Sequence, residues 1–177
     1  MNPSTPLAER MRPQNLDDYL GQDHIVGEKA VIYNAVKSGR INSMIFWGPP
    51  GVGKTTLARI IANTQDRPFI ELSAINAGVK DIRDAIKKAQ SNDLFSRPNP
   101  ILFIDEIHRF SKSQQDALLG AVEKGTIILI GATTENPSFE VIPALLSRCR
   151  VYTLEHLDKS QLVGLLDQAI NHDPYIK

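Results

Sequence analysis

Apolar residues along this chain recur with two different periods. From Glu28 onward Val31, Ile32, Ala35 and Val36 fall at helical spacing and Gly39 follows, which predicts a helix with a glycine at its carboxyl cap. The period then changes. The segments MIFWG (44–48), FIEL (69–72), ILFID (101–105) and TIILIGA (126–132) are short apolar runs, the pattern of strands buried on both faces of a sheet. Helical patterns fill the gaps: Leu57, Ile60 and Ile61; then Val79, Ile82, Ala85, Ile86 and Ala89; then Ala117, Leu118, Ala121 and Val122, ended by Gly125. Strands alternating with helices predict right-handed crossovers and a mostly parallel sheet, with ligands at the carboxyl ends of its strands.

Two flanking segments depart from this rhythm. Residues 1–27 are rich in Pro, Asp and Gln with scattered apolar positions, and read as an arm that packs on something else. Residues 28–157 hold the α/β core. After VYTL (151–154) a further helix opens at Asp158, with Leu162, Leu165, Leu166 and Ala169 on one face. One amphipathic helix cannot bury its own apolar face, so residues 158–177 read as the start of a truncated further unit, and the sequence as a fragment.

Composition narrows the class. The 177 residues are 42% hydrophobic and 23% charged, values of an ordinary globular domain. Twenty basic residues balance twenty acidic ones, so no cationic excess announces nucleic acid, and any such contact must be local or shared among subunits. The lone Cys149 cannot form an internal disulfide and reads as a small apolar residue; the start MNPSTPLAER has no apolar signal core. A cytoplasmic protein with no membrane contact is expected.

The strongest chemical signal is the run Gly48, Pro49, Pro50, Gly51, Val52, Gly53, Lys54, Thr55 and Thr56, set between a predicted strand and a predicted helix. It satisfies the phosphate-loop pattern G-x-x-x-x-G-K-[ST], in which glycines let backbone N–H groups converge on phosphate oxygens at a helix N-terminus. Lys54 would bind the β and γ phosphates and Thr55 would ligate Mg²⁺. About fifty residues on, the strand ILFID ends in Asp105 and Glu106. Asp105 would hold the metal through water, and Glu106 could orient and deprotonate an attacking water. A glutamate in that place favours hydrolysis coupled to motion.

GPPGVGKTT with LFIDEIH resembles the AAA+ ATPase pattern. That implies a three-layer P-loop NTPase domain, here followed by the first helix of a truncated lid, with ATP and Mg²⁺ as cofactors. LAERMRPQNLDDYLGQDHIVG (7–27) is similar to the adenine-pocket segment of clamp loaders and of the Holliday-junction branch-migration motor, making Arg12, Pro13, Tyr19 and Ile25 candidate adenine contacts. IGATTENP resembles the end of the sensor 1 strand and assigns that role to Thr134, with Thr133 as the alternative. LSRC (146–149) is similar to the Ser-Arg-Cys motif of clamp loaders, whose arginine, here Arg148, reaches the γ-phosphate of a neighbouring subunit.

ATTENPSFEV and PLAERMRP, within a likeness that covers nearly the whole chain, resemble the RarA/MgsA replication-associated recombination family, relatives of the Werner-helicase-interacting protein. The resemblance implies a homo-oligomeric, tetrameric, DNA-dependent ATPase acting at stalled forks, single-stranded ends or gaps, with single-stranded-DNA-binding protein as an associate. The sensor 2 region and the oligomerisation region of that family lie beyond residue 177, so weak activity is expected of this piece. Two other readings stay open: a clamp-loader subunit, and a non-hydrolysing scaffold that holds ATP to order an interface.

Other residues receive plainer readings. His24 and His108 read as solvated or hydrogen-bonded, and Phe46 and Trp47 as packing. Ser73 is either a turn residue or a restraint on Glu106. Arg83, Lys87 and Lys88 form either a solvated helix face or a contact for DNA phosphates.

Overall fold

The computed structural model describes residues 4–93 and 98–176. Five strands form one sheet: β1 (Met44–Trp47), β2 (Phe69–Ser73), β3 (Ile101–Asp105), β4 (Ile128–Thr133) and β5 (Arg150–Thr153), in the order β2-β3-β4-β1-β5. Every pairing is parallel. The helices are α1 (Leu7–Arg10), α2 (Asp23–Val26), α3 (Val31–Ser38), α4 (Lys54–Thr64), α5 (Val79–Asp93), α6 (Lys112–Glu123), α7 (Pro137–Glu140), α8 (Pro143–Leu146) and α9 (Lys159–His172).

Alternate residues of each central strand enter different cores, which makes three layers. Phe46, Phe103, Ile130 and Ala132 pack with α3 and α4 on one face. Ile45, Leu102, Ile104 and Leu129 pack with α5, α6 and α8 on the other. Burying an aliphatic or aromatic side chain contributes about 1.5–3 kcal/mol, so strands with no polar face are held between two helix layers. Each layer is bounded as the pattern predicts: Gly39 (φ 70°) and Gly125 (φ 68°) take up the left-handed turns that follow α3 and α6.

Two strands differ from expectation. The run FIEL predicts burial on both faces, yet β2 is half-buried except at Glu71, which is exposed and pairs with Arg59 at 2.5 Å. It occupies a sheet edge, where one flank has no neighbouring strand. β5 was not predicted at all. Its residues RVYT are mostly exposed and carry no apolar run; the strand exists because Arg150 through Thr153 pair with Met44 through Trp47.

The amino-terminal arm is stitched to the far end of the chain. Tyr19, Ile25 and Val26 are buried in the α3–α4 core. Buried Gln22 donates to the Glu155 carbonyl (2.6 Å) and accepts from the Glu155 N–H (2.8 Å). Arg10 pairs with Asp173 at 2.6 Å, just past α9. That helix starts with a capping box between Asp158 and Gln161, as its sequence anticipates. Its apolar face is only partly covered: Ala169 is buried and Leu165 half-buried, whereas Leu162, Leu166 and Ile170 are exposed. Among the described residues no helix is long and apolar enough to cross a membrane.

Candidate phosphate-binding site

The phosphate loop runs from the end of β1 to the start of α4. Gly51 (φ 76°) and Gly53 (φ 97°) occupy the left-handed region, and they need glycine for different reasons. A Cβ on Gly53 would come within 2.7 Å of the Tyr19 hydroxyl, whereas one on Gly51 would meet nothing within 4 Å. Conformation alone requires glycine at 51; conformation and close packing require it at 53. The Tyr19 hydroxyl lies 3.4 Å from the Val52 carbonyl and 3.3 Å from that of Gly53, donating to this pair, and burial pushes its phenol pKa up.

Lys54 opens α4 and folds back over the loop. Its ammonium donates to the carbonyls of Gly48 (2.6 Å) and Pro49 (2.7 Å). Burial pushes its pKa down, while the carboxylates of Glu106 and Asp105 act in the opposite sense. The cation therefore sits on the carbonyls that begin the loop, and its residue opens an eleven-residue helix whose amino end favours anions. Thr55 and Thr56 follow, both half-buried, and Pro50 is exposed. The loop's first N–H, from Gly48, is anchored on the Thr133 carbonyl at 3.1 Å.

Asp105 and Glu106 end β3. Because β4 lies between β3 and β1, they stand two strand spacings from the phosphate loop, about 10 Å between backbones. Asp105 Oδ1 accepts from the Glu106 N–H at 3.0 Å. Glu106 itself takes φ 57°, uncommon for a residue with a side chain. Its Oε2 lies 3.2 Å from His108 Nε2, and His108 Nδ1 lies 2.9 Å from Thr133 Oγ1. Ser73, the sequence candidate for restraining Glu106, pairs in register with Asp105, and its carbonyl receives the N–H groups of Asn76 and Ala77 in a turn. The side chain found on Glu106 is that of His108, which agrees with the reading of this histidine as solvated or hydrogen-bonded and adds the identity of its partners. Its place two residues after Glu106, at a strand end facing a polar residue of the next strand, was the available signal.

Thr133 and Thr134 end β4 between the two halves of the site. Thr133 is buried and bonded; Thr134 is half-buried and makes no side-chain hydrogen bond among the described residues.

The remaining candidates are dispersed. A cavity of about 550 Å³ between the arm and α9 is lined by Leu16, Tyr19, Leu20, Val26, Tyr33 and Gln161, among others. Of the four adenine candidates only Tyr19 lines it. Ile25 is buried in the adjoining core, Pro13 is half-buried elsewhere, and Arg12 pairs with Glu9 at 2.7 Å. Arg148 lies at the opposite end of the sheet. It directly precedes Cys149 and Arg150, and Arg150 pairs with Met44 at the start of β1, whereas the phosphate loop leaves the end of β1. Its exposed guanidinium bonds the Ala144 carbonyl and pairs with Glu123 at the close of α6. Cys149 packs against the second core, and burial pushes its thiol pKa up to about 12, so it stays a neutral apolar residue. Arg83, Lys87 and Lys88 are exposed on α5.

Known proteins match this arrangement. Residues 44–156 match the model of the ATPase family associated with various cellular activities (AAA). The chain is 54% identical over 169 residues to replication-associated recombination protein A of Haemophilus influenzae, covering 96% of this chain and 37% of that protein. It is 52% identical to the Escherichia coli K12 protein of that name, covering 96% of this chain and 38% of the relative. It is 48% identical to ATPase WRNIP1 of Dictyostelium discoideum, with 97% and 19% covered. The chain thus spans less than two fifths of the length of these relatives. In structure it is similar to the Thermotoga maritima RuvB Holliday junction branch migration motor, with a TM-score of 0.74 at 28% identity over 91% of this chain and 54% of that one. A phosphate loop on a five-stranded parallel sheet and the family match agree that the chain belongs to the AAA family of ATPases, and within it the chain is similar to replication-associated recombination proteins.

Proposed function

We propose that this chain is the nucleotide-hydrolysing core of a DNA-dependent ATPase that serves replication-fork maintenance, recombination and repair, and that it hydrolyses ATP between subunits of a homo-oligomer. The observation that carries this reading is the separation of Arg148 from its own phosphate loop by the length of β1. A guanidinium at that end cannot serve the nucleotide of its own subunit, and an exposed one is free to serve a neighbour's. Its pairing with Glu123 is a surface contact of about 0–1 kcal/mol, readily exchanged for a phosphoryl group.

The residues present fit a magnesium nucleotide. The loop's backbone N–H groups and Lys54 bind phosphate oxygens; Lys54 exchanges its hydrogen bonds to the Gly48 and Pro49 carbonyls for them. The hydroxyl of Thr55 and the carboxylate of Asp105 would hold Mg²⁺, which supplies neutralisation of phosphate charge. Glu106 orients the attacking water and takes its proton. Thr134 touches the γ-phosphate or that water from the end of β4. Tyr19 walls the cavity that takes the adenine, closed on its other side by α9.

A tetramer, an associated single-stranded-DNA-binding protein and a cytoplasmic setting complete the proposal; they rest on the resemblance to the replication-associated recombination family, and the names of the relatives support the setting in replication and recombination alone. The test is the steady-state ATPase rate of the full-length protein with and without gapped or single-strand-ended duplex. Strong stimulation by DNA is expected, with near silence from residues 1–177 alone. A rate indifferent to DNA yet raised by a sliding clamp would replace this reading with that of a clamp-loader subunit.

A further inference from the structure

Resting on the reading of Glu106 as the base, we propose that His108 is a positioning residue, and that it aims the Glu106 carboxylate through a hydrogen-bond relay that begins at Thr133.

The direction of the relay follows from counting protons. Thr133 Oγ1 accepts from the Glu135 N–H at 3.0 Å, so its own proton is left to donate. Two acceptors are in reach: His108 Nδ1 at 2.9 Å and the Glu135 carbonyl at 3.2 Å. The Glu106 carboxylate beside Nε2 only accepts, so a neutral imidazole keeps its proton on that side and leaves Nδ1 to take the threonine's. An imidazole that accepts at Nδ1 carries its own proton on Nε2, which faces Glu106 Oε2 at 3.2 Å. Every donor in the series Glu135 N–H, Thr133 hydroxyl, His108 Nε2–H then points toward Glu106. Aligned bonds of this kind polarise one another where water is sparse, and here Thr133 is 1% exposed and the His108 side chain 12%.

The surroundings leave the relay little freedom. The uncommon backbone angle of Glu106 starts the 3₁₀ turn Ile107–Arg109 that brings His108 back over it. Buried Gln115 donates to the carbonyls of Phe110 and Glu140 and accepts from the Ile142 N–H, tying that turn to the segment that follows β4. Thr133 also offers its carbonyl to Gly48, the first residue of the phosphate loop. One buried threonine therefore holds both the loop that binds phosphate and, through His108, the carboxylate that faces it.

The test uses the full-length protein with DNA present, and compares single-turnover hydrolysis and nucleotide affinity in wild type, E106Q, H108A, T133V, T133S and the H108A/T133V double variant. H108A and T133V are expected to slow hydrolysis by about 10- to 100-fold, the cost of a base displaced by up to about 1 Å, with nucleotide affinity unchanged. T133S keeps the hydroxyl and is expected to keep the rate. The double variant is expected to be no slower than H108A, because the two residues act in series. Wild-type turnover in H108A alongside a dead E106Q overturns the relay and leaves the base in place. Wild-type turnover in E106Q removes the base itself. Additive losses in the double variant overturn the proposal; if H108A fails to fold, the threonine pair decides, and equal rates in T133V and T133S overturn it.

Discussion

The two ends of the sheet are built on opposite terms. At the carboxyl end three neighbouring strands, β3, β4 and β1, bring Asp105, Glu106, Thr133 and the phosphate loop together, and each is bonded to another member of the group. At the amino end Arg148 stands exposed on a short turn, held by one surface ion pair. The first end is preorganised, since its donors and carboxylates are fixed before any ligand arrives. The second holds its guanidinium only by exposed contacts, to Glu123 and the Ala144 carbonyl, at the end of β1 away from the phosphate loop. Under the proposed function, such a division would make hydrolysis conditional on assembly, which a site complete within one chain would not do.

Three substitutions probe that contrast. The largest effect is expected from R148A, which should lower hydrolysis in the assembled protein by roughly 10³ to 10⁵ while sparing nucleotide binding. Mixing it with K54A subunits should restore part of the activity, because each partner supplies the half the other lacks; no recovery would argue for two independent sites. E106Q is expected to lose about 10² to 10⁴ in turnover with nucleotide still bound, as read by single-turnover assays. K54A removes charge-assisted hydrogen bonds of about 1.5–3 kcal/mol each, so nucleotide affinity should fall by about tenfold or more in a fluorescence titration.

The smallest effect concerns neither end of the sheet but the seam between arm and α9. The Arg10 guanidinium, hydrogen-bonded to Asp173, holds that carboxyl below its usual range, helped by the Tyr175 N–H. A depressed folded pKa means that this stabilisation is complete above the unfolded value near 4 and is lost as pH falls through the lower folded value. Thermal midpoints measured from about pH 6 downward should therefore converge for wild type and D173N in acid, with wild type higher at neutral pH. Midpoints that differ equally at every pH would refute the ionic origin.

Legibility differed between these regions for physical reasons. The phosphate loop and the acidic end of β3 could be read directly, because their chemistry demands glycines, a lysine and carboxylates in one unbroken stretch. The central strands were equally plain, being apolar on both faces. β2 was overread, since a run such as FIEL does not show whether a strand lies at an edge. β5 went unseen because RVYT gains its strand character from pairing with β1 rather than from burial. The role of His108 was missed since its partner Thr133 lies 25 positions away and meets it only across the β3–β4 pair.

Apolar periodicity along the chain was enough to set the layered α/β plan, and the unbroken GPPGVGKTT motif was enough to mark a nucleotide-binding loop. Tertiary structure alone decided which candidates meet. It joined Tyr19 to the phosphate loop and Thr133 to Glu106 through His108, left Arg12 on Glu9, and carried Arg148 to the far end of the sheet. The physical reason is that strand order and register bring together residues far apart in the chain, and neither leaves a mark in the spacing of any single segment.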